Sequence, residues 1–210
     1  MEKRNWKHSV TLKQRMVLCL AAFFAAFALQ LALNGYQARA VQQVQDDQMG
    51  NFNAISRFQG GVESSISILE AYRWENGGTE EMLEKLQAAC STSNAWLWRI
   101  RSNMDGLQNV SDEQWVLYGA VETTYGSYNT LLEELEGYLS NGQEAKASQL
   151  YYNKVSVCGG YLSQYTMQLL KASILDAQTT YTEISELGER IALMQIVVVA
   201  LCVALAAPPV

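Results

Sequence analysis

The chain has 210 residues, 49% of them hydrophobic, with 15 basic and 21 acidic side chains and a formal net charge of −6. That length suits one domain of ordinary size, or one domain with additional apolar segments. An acidic chain lacks the cationic face that nucleic acid demands, so no nucleic-acid partner is expected. The single histidine, His8, excludes histidine metal clusters and a Ser-His-Asp triad. No glycine-rich phosphate loop follows a strand pattern. No catalytic residue, metal site or cofactor is therefore expected, and the chain reads as a non-enzyme.

The charge is unevenly spread. Residues 1–15 form a basic head, with Lys3, Arg4, Lys7, Lys13 and Arg15 against Glu2, while every other acid lies between Asp46 and Glu189. The hydrophobic run at residues 16–33 follows, MVLCLAAFFAAFALQLAL, with Gln30 as its one polar interruption. Its length predicts a first transmembrane helix over residues 16–34, and the cations before it predict a cytoplasmic amino terminus. Ala38-Arg39-Ala40 offers the alternative of a cleaved signal peptide. An uncleaved anchor fits better, because the run exceeds a signal core and helical patterning continues through the site. A second uncharged run, IALMQIVVVALCVALAAPPV, predicts a second transmembrane helix over residues 191–210. No Lys or Arg follows it before Pro208-Pro209-Val210, which reads as a chain cut from a longer parent. The expected placement is a two-pass protein of the plasma membrane, with residues 35–190 extracytoplasmic.

The middle of the chain has no proline, so nothing forbids long helices. Apolar residues recur at alternating steps of three and four. The first stripe is Val41, Val44, Phe52, Ile55, Phe58, Val62, Ile66, Leu69 and Tyr72, with Gln48 filling one heptad place. Asn76-Gly77-Gly78 ends it. Thr79 is the expected N-cap of a second helix, followed by Glu80 and Glu81, with the stripe Leu83, Leu86, Cys90, Ser93, Leu97, Ile100 and Met104. A loop is expected at residues 103–110, around Asp105-Gly106. Ser111-Asp112-Glu113-Gln114 is a capping-box pattern that starts a third helix. Its stripe is Trp115, Tyr118, Val121, Tyr125, Tyr128, Leu132, Leu135 and Leu139, and Asn141-Gly142 ends it. The fourth stripe is Leu150, Lys154, Val157, Tyr161, Tyr165, Leu169, Ile174, Ala177, Tyr181, Ile184 and Leu187, with a bend expected at Gly159-Gly160.

Four amphipathic segments joined by short turns predict an all-α fold: an antiparallel up-down-up-down four-helix bundle, continuous with the two transmembrane helices. The basic start through Thr11-Leu12-Lys13-Gln14-Arg15, the apolar run, the helical middle and the Asn141-Gly142-Gln143-Glu144-Ala145 turn carry a resemblance. The chain resembles the input half of bacterial transmembrane receptors, the sensor histidine kinases and chemoreceptors with a four-helix-bundle sensor. That resemblance implies an extracytoplasmic sensing module of a sensor histidine kinase, acting as a homodimer in the lipid bilayer. It would respond to an external ligand or partner protein and signal through small helix displacements. A chemoreceptor input module and a membrane-anchored helical adaptor are the alternatives.

Tyr72, Arg73 and Trp74 close the first helix and form the candidate ligand-binding group, since Arg beside Trp suits an anionic or aromatic molecule. Trp96, Trp98, Arg99 and Arg101 end the second helix, at the opposite end of the bundle, so the two sets cannot form one pocket. The alternative is that Trp96 and Trp115 are core residues and the arginines solvated. Cys19 and Cys202 read as apolar filler. Cys90 and Cys158 lie at similar heights on diagonal helices, so a disulfide between them competes with buried free thiols, the better fit to diagonal placement. Asn109-Val110-Ser111 matches a glycosylation sequon, but Ser111 is better explained as a helix cap.

Overall fold

A computed structural model describes residues 12–72, 78–107 and 110–206, leaving aside the side chains of residues 12, 13, 15, 16, 18, 19, 22 and 201–206. It is all-helical, with no strand among the described residues. Helix α1 is Leu12–Ala71, α2 is Thr79–Gly106, α3 is Asp112–Ser140 and α4 is Glu144–Leu150; a π-helical turn, Tyr151–Val155, joins α4 to α5, Ser156–Ala206. The chain divides into two compact units, one of residues 1–43 and 181–210, the other of residues 44–180.

In the larger unit, contacts between neighbouring helices run in opposite directions. Gly61 of α1 meets Ser93 of α2, and Gly50 meets Asn103. Cys90 of α2 meets Tyr125 of α3, and Arg101 meets Glu122. On the last side, Ile66 of α1 meets Gly159 of α5, and Asn51 meets Ser173. Numbers rise on one helix as they fall on the next, so the four segments pack antiparallel. The core holds Ile55, Phe58 and Leu69 of α1, Leu86 and Ile100 of α2, Tyr128 and Leu135 of α3, and Leu162 and Leu169 of α5, all buried. Phe58 and Tyr125 meet edge to face at 5.2 Å between centroids, the geometry that ring quadrupoles favour.

The turns follow from residues with special backbone freedom. Gly78 precedes α2 at φ +91° and Gly142 follows α3 at φ +68°, a region that glycine enters without a Cβ penalty. Ser111 caps α3 as expected, its hydroxyl accepting the Gln114 N–H at 3.3 Å. Thr79 does not cap α2. Gly78 holds the cap position, and the Thr79 hydroxyl lies 2.8 Å from the Tyr72 hydroxyl instead.

The fourth stripe is met at Leu150, Leu169 and Ala177, which are buried, and displaced by one position elsewhere. Tyr151, Val155, Leu162, Thr166, Leu169 and Ser173 are buried, whereas Val157, Tyr161 and Ile174 are exposed. The polar Thr166 and Ser173 on the inner face, and large apolar residues on the outer one, disguise the phase. The helix is not interrupted at Gly159-Gly160. Gly159 lies inside α5 and lets Ile66 approach; a Cβ there would sit 3.0 Å from the Ile66 Cδ1. The irregularity lies earlier, in the π turn.

The smaller unit pairs the first part of α1 with the last part of α5. Gln37 Nε2 donates to the Ile184 carbonyl at 3.5 Å, and Gly188 sits where any Cβ would meet the Gln37 amide. A cavity of ≈ 260 Å³ is lined by Phe27, Gln30, Leu33, Met194, Gln195 and Val198, among others. Phe23, Phe24, Leu29, Leu31, Leu193, Ile196 and Val197 are exposed.

Among the described residues, no helix is long and apolar enough to cross a membrane. This corrects the expected transmembrane helices at residues 16–34 and 191–210, the fold continuous with them, and the two-pass plasma-membrane placement with residues 35–190 outside. Polar side chains interrupt the apolar stretches of both helices, Gln30, Asn34 and Gln37 in α1 and Gln195 in α5. Most of the basic head, including His8, lies outside the described residues.

Candidate ligand groove and the polar layer

Antiparallel pairing of α1 with α2 places short side chains opposite one another. Ser56, Gly60, Gly61 and Ser64 of α1 face Ala88, Ala89 and Thr92 of α2 across a cavity of ≈ 660 Å³. A Cβ at Gly61 would collide with the Ser93 hydroxyl, so any side chain there needs Ser93 to turn away. Trp96 also lines a second cavity of ≈ 520 Å³, with Gly50, Asn53, Ala95, Trp98, Arg99 and Asn103. Both volumes fall in the range of small-molecule sites.

The chemistry of this groove opposes the charge of the whole chain. Arg57 lies over the Trp96 ring, 6.0 Å from its centroid, and Arg99 lines the neighbouring cavity. Lys85 lines the groove as well, but its ammonium is paired with Glu81 at 2.6 Å on the exposed side of α2. Among the described residues, no carboxylate is in either lining. Two guanidinium groups, two indoles and two carboxamides form a surface suited to a planar anion.

The sequence-based group fares differently. Tyr72 is buried and closes α1 against Thr79; Arg73 and Trp74 lie outside the described residues. Of the second-helix set, Arg99 joins the groove, while Arg101 turns to α3 and meets Glu122 at 3.6 Å. Trp96 is half-buried at the groove; Trp98, 68% exposed, forms its lip. Trp115 is 36% exposed and Gln114 takes the core position beside it. Arg57 was missed because it stands alone in the sequence, and only the α1–α2 register brings it to Trp96.

Cys90 and Cys158 are free thiols. Tyr125 donates to the Cys90 carbonyl at 2.9 Å, while the Cys158 thiol lies 3.7 Å from the carbonyl of Thr124. Adjacent residues of α3 thus stand between α2 and α5 and hold the two cysteines apart. Burial, with a smaller contribution from Glu136, raises the Cys90 thiol to about 11, and burial raises Cys158 too. Both therefore stay protonated and unreactive at neutral pH. The side chains of Cys19 and Cys202 lie outside the described set.

A second polar feature lies where α1, α3 and α5 meet. Gln48, Asn51, Gln114, Ser173 and Thr180 are all buried. Asp176 accepts from the Ser111 N–H at 3.0 Å and from Gln114 Nε2 at 2.7 Å. In a capping box the Gln114 side chain would return to the Ser111 N–H. Here Asp176 of α5 takes that N–H, and Gln114 reaches across to the same carboxylate. The α3 cap is thereby tied to α5. Three amide oxygens of this layer, Gln48 Oε1, Asn51 Oδ1 and Gln114 Oε1, have no donor.

No protein-family model, no curated protein and no solved structure matches the chain.

Proposed function

We propose that the chain is a signal-input module of the sensor-histidine-kinase kind, in which the α1–α2 groove takes a small planar organic anion and α5 relays its arrival. The observation that carries this reading is the groove itself: Arg57 lies over the Trp96 ring, Arg99 and Trp98 line the adjoining cavity, and no carboxylate among the described residues is in either lining, on a chain of net charge −6. The resemblance of the helical middle and its Asn141-Gly142 turn to receptor input domains supports the same reading. An anion drawn between α1 and α2 changes how α1 sits against its other neighbour, α5. Packed helix interfaces switch between discrete arrangements, so a displacement of about 1–2 Å suffices for a relay. In receptors of this kind such a shift sets the activity of an output domain.

The test uses benzoate, indole-3-acetate and citrate as probes of the intact chain. The aromatic carboxylates are expected to raise the thermal midpoint, and Arg57→Ala with Arg99→Ala to weaken binding at least tenfold. No response to any of the three removes the groove as a site. Nitroxides at the exposed positions Glu63 and Gln164, in a background with all four native cysteines replaced by alanine, then read the α1–α5 distance. A ligand-dependent change supports the relay. Binding with an unchanged distance leaves an adaptor that merely holds a partner.

A further inference from the structure

We propose that the polar layer between α1, α3 and α5 binds one alkali-metal cation, held by the side-chain oxygens of Gln48, Asn51 and Gln114 and balanced by Asp176. The three amide oxygens belong to residues that are 4%, 0% and 1% exposed, and none has a donor. A buried acceptor left without a partner costs about 1–3 kcal/mol, so native structures rarely leave several together.

The three are close in the fold. Asn51 Nδ2 reaches Ser173 Oγ at 3.5 Å and Gln114 Nε2 reaches Asp176 Oδ2 at 2.7 Å; Ser173 and Asp176 are neighbours one turn apart on α5. Gln48 stands one turn before Asn51 on α1. The orientation of Gln114 is dictated by chemistry. Only its NH₂ can face a carboxylate, so its oxygen must be the free end.

The imbalance is one-sided. Every buried side-chain nitrogen or oxygen without a partner in the larger unit, among the described residues, is an oxygen acceptor; the one such buried donor, Gln195 Nε2, belongs to the other unit. A buried water gives two hydrogens but also needs donors for its own lone pairs, whereas a cation needs acceptors alone. Asp176 receives only neutral donors, and no ion pair involves it among the described residues. One carboxylate balances one monovalent charge. The ligand set is entirely hard oxygen, and the described residues contain no group of three or more His, Cys, Asp or Glu that suits a divalent or transition metal. This inference stands apart from the groove and from any signalling role.

The test is thermal unfolding of the intact chain in NaCl, KCl and tetramethylammonium chloride at one fixed ionic strength. The third cation is too large to enter. Sodium or potassium is expected to raise the midpoint saturably over tetramethylammonium. Asp176→Asn should abolish that difference or weaken the apparent affinity at least tenfold, while Glu122→Gln retains it. Should Asp176→Asn fail to fold, Gln114→Met reads the same loss. Equal midpoints in all three salts overturn the proposal, as does an ion dependence that survives both layer substitutions. A response to calcium chloride with none to sodium or potassium overturns the monovalent assignment.

Discussion

The backbone contact at Gly61 shows how one missing Cβ sets the spacing of two helices. The Ser93 hydroxyl occupies the space that a side chain at 61 would take, and it bonds the Ala89 carbonyl at 3.0 Å. Alanine at 61 gains about 1 kcal/mol of helix propensity and loses it to this collision. We expect Gly61→Ala to be no more stable than the parent. The Gly61→Ala/Ser93→Ala double variant should exceed the parent in urea unfolding, a non-additivity that a mutant cycle measures. The tyrosines of α3 make a second residue-level case. Burial pushes the Tyr125 phenol from its ordinary 10.0 up to about 12, and Tyr118, buried beside Glu122, also rises to about 12. Tyr128 is raised further by burial, against the lowering effect of its hydrogen bond to Ser65. A folded-state value above the unfolded one favours the neutral phenol in the fold. Its contribution is complete below pH 10 and is lost as pH climbs through 12. Absorbance at the phenolate band should show two tyrosine populations, and stability should fall above pH 10 but not between 7 and 9. A single titration near pH 10 with the bundle still folded contradicts this.

At the scale of elements, the first three stripes were legible, and the fourth only at Leu150, Leu169 and Ala177. Heptad reading found Ile55, Phe58, Val62 and Leu69 on α1, Leu86, Ile100 and Met104 on α2, and Tyr118 through Leu139 on α3, all buried. It worked because those faces are apolar almost throughout. On α5 the inner face carries Gly159, Thr166 and Ser173, so hydrophobicity pointed to Val157, Tyr161 and Ile174, which face outward. The groove was half legible: Trp96, Trp98 and Arg99 cluster in sequence, but Arg57 and the facing small residues meet them only through packing. The polar layer was visible only as Gln48, a polar residue in a heptad place. The π turn follows from one residue more than a regular helix accommodates, and Asn153 within it is exposed. Deleting Asn153 should convert Tyr151–Val155 to α-helix with both flanks in place, leaving the thermal midpoint equal or higher. Deleting Gln164, in regular helix, rotates everything beyond it by about 100° and should abolish cooperative unfolding. Equal damage from both deletions counts against this account of the turn.

For the whole molecule, the division at residues 44 and 180 separates two kinds of surface. The larger unit encloses its own core, and its outer surface mixes charged and polar residues with exposed apolar ones such as Val116, Val157, Tyr161 and Leu175. The smaller exposes Phe23, Phe24, Leu193, Ile196 and Val197, more apolar area than one pair of helices can cover by itself. A fragment of residues 44–180 is expected to fold alone, with a helical circular-dichroism spectrum and one cooperative transition. The intact chain should need another chain or a detergent to stay dispersed. A fragment without a cooperative transition, or one that associates as strongly as the intact chain, argues against two separable units. The wide turn at Tyr151–Val155 has a final consequence. A surplus residue in a helix is not pinned to one place: handing hydrogen bonds over one at a time lets the defect travel along the rod. Each residue it passes turns its side chain to a new bearing, while the stretches ahead and behind keep theirs. The long final helix thus carries a built-in means of reorienting one short segment without moving its ends.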